Sequence, residues 1–398
     1  MATALPLGTA WPKDNRLTKL RDSGSFHAYV HIPFCNVHCG YCDFNTYTAK
    51  EIGEVRQTEF HFPLLQESDF SAAVLRDSGM AMPPMSSVFF GGGTPSLFTA
   101  AQIDELLTRL IDTYGIAPGS DVTLEANPDT VSLEYLQALA QIGVTRISFG
   151  VQSFDPEVLK VLDRTHDPEL VPQVVEWAKM AGLKVSIDLI YGAPGESLSS
   201  WRQSVEAAIA LRTEHVSAYS LIVEDGTKLA AQIRRGELME PDEDLNAEKQ
   251  ELASKLFEGA GLDWYEVSNW GEPSIHNKSY WYSRNWWGFG PGAHSHINGN
   301  RFWNRKHPLA YQQAVATGSP AQGMELIDER THLEERLMLE LRCKDGTELA
   351  LLDALSISKE KVAGALADGL LTLLPQARIA VSAKGRLLID GLVLQLLT

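Results

Sequence analysis

Short runs rich in β-branched and aromatic residues recur along the first half of the chain, at 27–32, 87–90, 121–125, 146–149, 185–190 and 215–221. Between them, apolar residues return at helical spacing over 101–114, 133–142, 156–163, 168–181 and 199–211. The first pattern predicts strands and the second helices. Strands alternating with helices of this length imply parallel pairing through right-handed crossovers, hence an α/β fold. Eight such units would close a barrel. Six give either an open, partial barrel or a doubly wound sheet, and periodicity alone does not separate the two.

The pattern changes after about residue 230. Residues 234–257 form a charged, helical stretch, and 264–303 hold six of the nine tryptophans among many glycines. From Asp328 onward the pattern is helical, with short strand-like pieces near Thr347 and over 379–389. We expect an N-terminal extension (1–25), a large α/β unit with an aromatic-rich extension (26–300) and a small helical or winged-helix-like C-terminal domain (301–398).

The 398 residues are 44% hydrophobic and 21% charged, which suits a soluble globular protein with a large core. The net charge of −17 repels phosphate backbones, so nucleic acid is not an expected partner. No run of 18 apolar residues marks an integral membrane segment, and residues 1–10 lack the features of a secretory signal. A cytoplasmic location is the expectation. Three of the four cysteines fall between Cys35 and Cys42, and clustering of this kind points to metal or redox chemistry. Cys343 stands apart, as a buried thiol would.

Polar and glycine-rich features recur at the carboxyl ends of the predicted strands. The cysteines follow the first strand, and Gly91-Gly92-Gly93-Thr94-Pro95 follows the second. Glu125-Ala126-Asn127 ends the third, Gln152 follows the fourth, and Asp188 lies in the fifth. Parallel α/β folds build their sites at this end, where the loops converge on one mouth. Glycines there would let backbone approach a ligand, although Gly-Gly is also common in ordinary turns. Glu125 and Asp188 could equally serve local turns or helix starts.

Cys35, Cys39 and Cys42 have the spacing C-x3-C-x2-C. Three thiolates fit three corners of an iron–sulfur cubane and leave the fourth iron open for a substrate. The alternatives are zinc, with His38 as a crowded fourth ligand, or a purely structural cluster.

This motif resembles that of the radical S-adenosylmethionine (SAM) superfamily. Six further segments resemble its group of oxygen-independent coproporphyrinogen III dehydrogenases and haem chaperones: HAYVHIPFC from His27, FFGGGTPS from Phe89, EANPDTV from Glu125, GVTRISFGVQSFD from Gly143, LKVSIDLIYGAPGE from Leu183 and GFGPGAHS from Gly288. The similarity spans about 28–304. It implies a partial (β/α)6, TIM-like barrel carrying a 4Fe-4S cluster on Cys35, Cys39 and Cys42. The open iron would chelate SAM, whose one-electron cleavage yields methionine and a 5′-deoxyadenosyl radical. The resemblance further implies SAM contacts at Tyr29, Tyr41, Gly92, Gly93, Thr94, Glu125, Gln152, Arg164 and Asp188. Acceptors suit a sulfonium and ribose hydroxyls, and Arg164 could meet the SAM carboxylate with a two-donor fork.

Two members of the group are told apart by sequence. The dehydrogenase carries a fourth cysteine where this chain has Phe44, and a longer N-terminal arm than precedes His27 here. His276-Asn277-Lys278-Ser279-Tyr280-Trp281 instead resembles the HNxxYW motif of the haem chaperones, in which the histidine is implicated in haem binding. A neutral imidazole ligates haem iron, and Tyr280, Trp281, Tyr282, Trp286 and Trp287 could cover a flat macrocycle. The alternative for His276 is a packed core histidine. The implied partners are haem and haem-accepting proteins, and an exposed aromatic region would permit a homodimer. Dehydrogenation of coproporphyrinogen III and a metal-stabilised, non-catalytic scaffold are the competing functions.

Overall fold

The computed structural model describes residues 8–398, so the first seven residues of the expected N-terminal extension lie outside the described residues. Six strands follow one another in parallel: β1 (Phe26–Ile32), β2 (Met85–Gly92), β3 (Ile116–Ala126), β4 (Arg146–Gln152), β5 (Lys184–Tyr191) and β6 (His215–Ser220). Their spatial order is the order of the chain. A doubly wound sheet would reverse order at a switch point, and none is present. The fold is therefore the open, partial-barrel form of the expected α/β class.

The sheet continues at both edges. Beyond β6 lie β7 (Trp264–Glu266) and β8 (Asn269–Gly271), with β8 antiparallel to β6. Beyond β1 lie β9 (Asn285–Phe289), parallel to β1, and then antiparallel β10 (His294–Ile297), β11 (Asn300–Asn304) and β12 (Ala321–Leu326). The aromatic-rich segment thus supplies sheet edges and core. Residues 329–397 build a separate three-stranded sheet with four helices around it. Only Arg378–Val381 of the predicted 379–389 strand is extended, and Ile389–Leu397 is helical.

Strand periodicity explains how the sheet builds a site. In β3, Val122 and Leu124 are buried in the hydrophobic core, and in β5 so are Val185, Ile187 and Leu189. The alternate residues Thr123 and Glu125, and Ser186 and Asp188, line an inner cavity instead. Successive strand side chains point to opposite faces, so each strand is apolar outside and polar inside. The crossover helices supply the matching apolar stripes. In α2 (Ala100–Tyr114), Ile103, Leu106, Leu107 and Leu110 are buried, behind a Thr99–Gln102 capping box.

The helix α1 (His61–Asp77) joins β1 to β2 and escapes the sequence pattern. Its buried face carries His61, Glu67, Ser68 and Ser71. Glu67 accepts hydrogen bonds from Tyr311 Oη (2.5 Å), Asn304 Nδ2 (2.7 Å) and the Gly290 N–H (2.8 Å), tying α1 to the β9–β11 edge. Among the described residues, no helix is long and apolar enough to cross a membrane.

Candidate functional site

The inner faces of β1–β6 and the loops at their carboxyl ends enclose a cavity of about 600 Å³. Every residue expected to meet the cluster, SAM or the haem iron lines it, but of the aromatics expected to cover a macrocycle only Tyr280 does: Trp281, Tyr282 and Trp286 lie outside it and Trp287 is packed in the core. The loop after β1 contributes Cys35, Cys39, Tyr41 and Cys42, and β1 itself contributes Tyr29. The turn after β2 adds Gly92, Gly93 and Thr94. Glu125, Gln152, Arg164 and Asp188 come from β3, β4, the segment after β4, and β5. His276 enters from the helix Ile275–Trp281.

Backbone bonds shape the cysteine loop: the Cys35 N–H donates to Tyr47 O (3.0 Å) and the Cys42 N–H to Cys39 O (3.1 Å). Thr94 Oγ1 donates to Cys35 Sγ (3.7 Å), and Arg164 Nη1 to Cys39 Sγ (3.8 Å). Asn127 joins these two donors. Its Oδ1 accepts from Arg164 Nη2 (2.7 Å) and its Nδ2 reaches Thr94 Oγ1 (3.4 Å). One polar chain therefore spans two cysteine sulfurs. Burial raises the Cys35 thiol and pushes Cys42 up to about 11, so both would release protons on binding a metal.

Single zinc ions bind thiolates at about 2.3 Å and draw them close together. Among the described residues, no three His, Cys, Asp or Glu side chains gather in that way. The three thiols line one mouth, and two of them accept hydrogen bonds from polar side chains.

The glycine turn has a steric cause. Gly92 has φ +111°, and a Cβ there would stand 2.6 Å from the His31 ring. A Cβ at Gly93 would stand 2.5 Å from Phe34 O. The glycines thus let the turn pack against the end of β1, where sequence reasoning had them admitting a ligand. Their N–H groups are used as well: Gly92 donates to Glu125 Oε2 (3.1 Å), Gly93 to Ile32 O (2.8 Å) and Thr94 to Phe34 O (2.7 Å). These N–H groups are therefore not free to meet a ligand.

Deeper in the cavity, burial and the neighbouring Asp188 raise the Glu125 carboxyl to about 8. Burial also raises Asp188, which accepts from Ser148 Oγ (2.7 Å). Gln152 sits at φ +65°, a strained conformation held where β4 breaks register. Several buried cavity atoms have no hydrogen-bond partner: Arg164 Nε, Thr123 Oγ1 and Arg146 Nη1. Buried polar groups are normally satisfied, so donors left over at a cavity wall fit a polar ligand such as SAM.

His276 is buried, with both ring nitrogens engaged. Nδ1 bonds Ser87 Oγ (2.8 Å) and Nε2 bonds Tyr280 Oη (2.8 Å). Ser87 Oγ also meets His27 Nδ1 (2.8 Å), and the His276 ring stacks on Phe89 at 5.0 Å. Ligation of iron at His276 would break one of these bonds. Cys343 is buried, as expected.

The sequence profile of the radical SAM superfamily matches residues 29–208. The protein named Heme chaperone HemW of Mycobacterium tuberculosis (strain ATCC 25618 / H37Rv) is 41% identical over 377 residues, covering 94% of this chain and 95% of that protein. This chain belongs to the HemW family of radical SAM proteins. Heme chaperone HemW of Bacillus subtilis (strain 168) is 34% identical, covering 80% of this chain and 84% of its own length. The mouse protein Radical S-adenosyl methionine domain-containing protein 1, mitochondrial, is 34% identical over 93% of this chain and 86% of its own. The structure of coproporphyrinogen III oxidase (HemN) from Escherichia coli superposes with a TM-score of 0.79 at 22% identity, covering 95% of this chain and 92% of that one. That likeness shows the shared fold.

Sequence reasoning did not single out Asn127 or the Ser87–His27 pair. Their signal was the inward phase of the strands: His27, Ser87 and Asn127 stand in step with Tyr29, Phe89 and Glu125.

Proposed function

We propose that this chain is a haem chaperone that holds a 4Fe-4S cluster on Cys35, Cys39 and Cys42, binds SAM beside it, and delivers haem to haem-dependent, respiratory proteins. The observation that carries this is the convergence of three thiols, two carboxyls and unpartnered donors on one cavity, in a chain closely related over nearly its whole length to proteins named heme chaperones. When bound, the cluster and SAM supply one-electron chemistry at a sulfonium. The protein's own residues hold and orient. Thr94 and Arg164 donate to the Cys35 and Cys39 sulfurs, which stabilises thiolate charge. The carbonyl oxygens of Gly92 and Gly93 suit an ammonium group, and the free Nε of Arg164 suits a carboxylate. Glu125, Gln152 and Asp188 suit ribose hydroxyls and the positive sulfur, with Tyr29 and Tyr41 as walls.

Phe44, at the position of the dehydrogenase's extra cysteine, is largely exposed at the cavity mouth. It supplies no sulfur there, which favours the chaperone over coproporphyrinogen III dehydrogenation. The test is anaerobic reconstitution followed by haem titration, transfer to an apo-haem protein, and assay of coproporphyrinogen III with SAM and a reductant. Haem uptake and transfer without carbon dioxide release is expected. Carbon dioxide release from an intact cluster, or no haem uptake, would overturn the reading.

A further inference from the structure

Ser87 Oγ lies 2.8 Å from Nδ1 of His27 and 2.8 Å from Nδ1 of His276. All three side chains are buried, Ser87 completely. A hydroxyl carries one proton, so Ser87 donates to one of these nitrogens and accepts an N–H from the other. Burial and Arg284 bring His27 down to about 4, and burial holds His276 well below the usual imidazole range, so each ring carries one proton. The two tautomers are therefore locked in opposition: one ring has its proton on Nδ1 and the other on Nε2. The outer nitrogens complete the chain, with His27 Nε2 2.9 Å from Ser25 Oγ and His276 Nε2 2.8 Å from Tyr280 Oη.

We propose that Ser87 and His27 are positioning residues that set His276 as an axial ligand of haem iron. This rests on the haem-chaperone reading above and on His276 of the motif helix as the ligand. Iron takes the lone pair of a neutral imidazole. With the His276 proton on Nδ1 and donated to Ser87, Nε2 presents that lone pair. Ser87 then donates to His27 Nδ1, and the His27 Nε2–H donates to Ser25 Oγ. His27 is the acceptor that draws the pair into this arrangement. Without it, Ser87 donates to His276 Nδ1, and the His276 proton moves to Nε2, where it blocks iron. An N–H held by a partner also raises the basicity of the opposite nitrogen.

The surroundings make Nε2 the nitrogen that can be released. Tyr280 and His276 both line the main cavity, and among the described residues Tyr280 Oη bonds His276 alone. Turning that one hydroxyl aside opens Nε2 to the cavity, while Phe89, stacked on the ring at 5.0 Å, holds its plane. His215, the other histidine on the cavity wall, has a similar pair of partners but is locked. Ser186 Oγ holds its Nδ1 (2.6 Å) and Tyr265 Oη its Nε2 (2.9 Å). Tyr265 Oη also accepts from Asn277 Nδ2 (3.3 Å) and the Ser274 N–H (3.4 Å), so it is not free to turn.

The test is haem titration of the anaerobically reconstituted full-length chain, with affinity read from the Soret band and the haem midpoint potential from spectroelectrochemistry. Ser87→Ala should keep the 4Fe-4S cluster and bind haem about tenfold more weakly. It should also shift the potential upward, because a less basic imidazole stabilises ferric iron less. His27→Phe should weaken binding as well. Ser87→Ala/His27→Phe should be no worse than Ser87→Ala alone, because His27 acts only through Ser87. Wild-type affinity and potential in cluster-replete Ser87→Ala, or additive losses in the double variant, overturn this proposal and leave the chaperone reading standing. So does a His276→Ala variant with the wild-type haem spectrum. A wild type that takes up no haem overturns both. If Ser87→Ala does not load its cluster, His27→Phe decides: weaker binding beside an intact cluster supports the relay and unchanged binding rejects it.

Discussion

Replacing Asn127 with alanine removes the link between the two donors that reach the cysteine sulfurs. The main loss is the 2.7 Å bond from the Arg164 guanidinium to Oδ1, since the 3.4 Å contact to Thr94 is at the weak end of hydrogen bonding. A hydrogen bond to a charged group contributes about 1.5–3 kcal/mol. Arg164 retains Gly150 O at 2.6 Å and Cys39 Sγ at 3.8 Å, and the cavity admits water in place of the lost amide. The lower end of the range therefore applies, and about 1.5 kcal/mol corresponds to about tenfold in affinity. We expect Asn127→Ala to keep all three thiol ligands and a full iron content while binding SAM about tenfold more weakly. SAM titration of the reduced cluster by EPR reads this directly. Wild-type SAM affinity in a variant with an intact cluster would refute the idea that Asn127 positions Arg164.

Three other outcomes are expected. Lys249 is buried against Glu196 (2.8 Å) behind the loop that follows β5, so Lys249→Met should cost about 3–5 kcal/mol in urea unfolding, and Lys249→Met/Glu196→Leu should recover most of it; equal losses in both would contradict an uncompensated charge. Glu67→Ala strands the Tyr311, Asn304 and Gly290 donors and should cost about 3 kcal/mol or more, detectable as a lowered thermal midpoint. Burial holds a proton on Glu125 up to about pH 8 against an ordinary 4.5, so the folded state binds more protons than the unfolded one between those values. Stability of the cofactor-free chain should then fall as pH rises through that window, and fall less in Glu125→Gln; identical slopes for the two proteins would be inconsistent with a buried neutral carboxyl.

The six core strands were legible because each combines β-forming residues with a glycine-rich or polar exit. Their sequential order was not, since a partial barrel and a doubly wound sheet share one periodicity. The helix α1 escaped because Glu67, Ser68 and Ser71 occupy its buried face, where a hydrogen-bonded carboxylate stands in for an apolar stripe. Residues 379–389 looked uniformly strand-like, yet the chain turns after Val381 and re-enters as helix. At the site, motif spacing identified residues that do converge on one cavity. Whether a nitrogen there is engaged is tertiary information: His276 stands in a recognisable motif, and only the fold shows that Ser87 and Tyr280 take both of its ring nitrogens.

Mössbauer and EPR spectra of the anaerobically reconstituted chain, recorded with and without SAM, test most directly whether Cys35, Cys39 and Cys42 hold a cluster with one open iron. We predict a cubane cluster in which a single iron site changes when SAM is added. Bound zinc without inorganic sulfide, or a cluster spectrum indifferent to SAM, would contradict it.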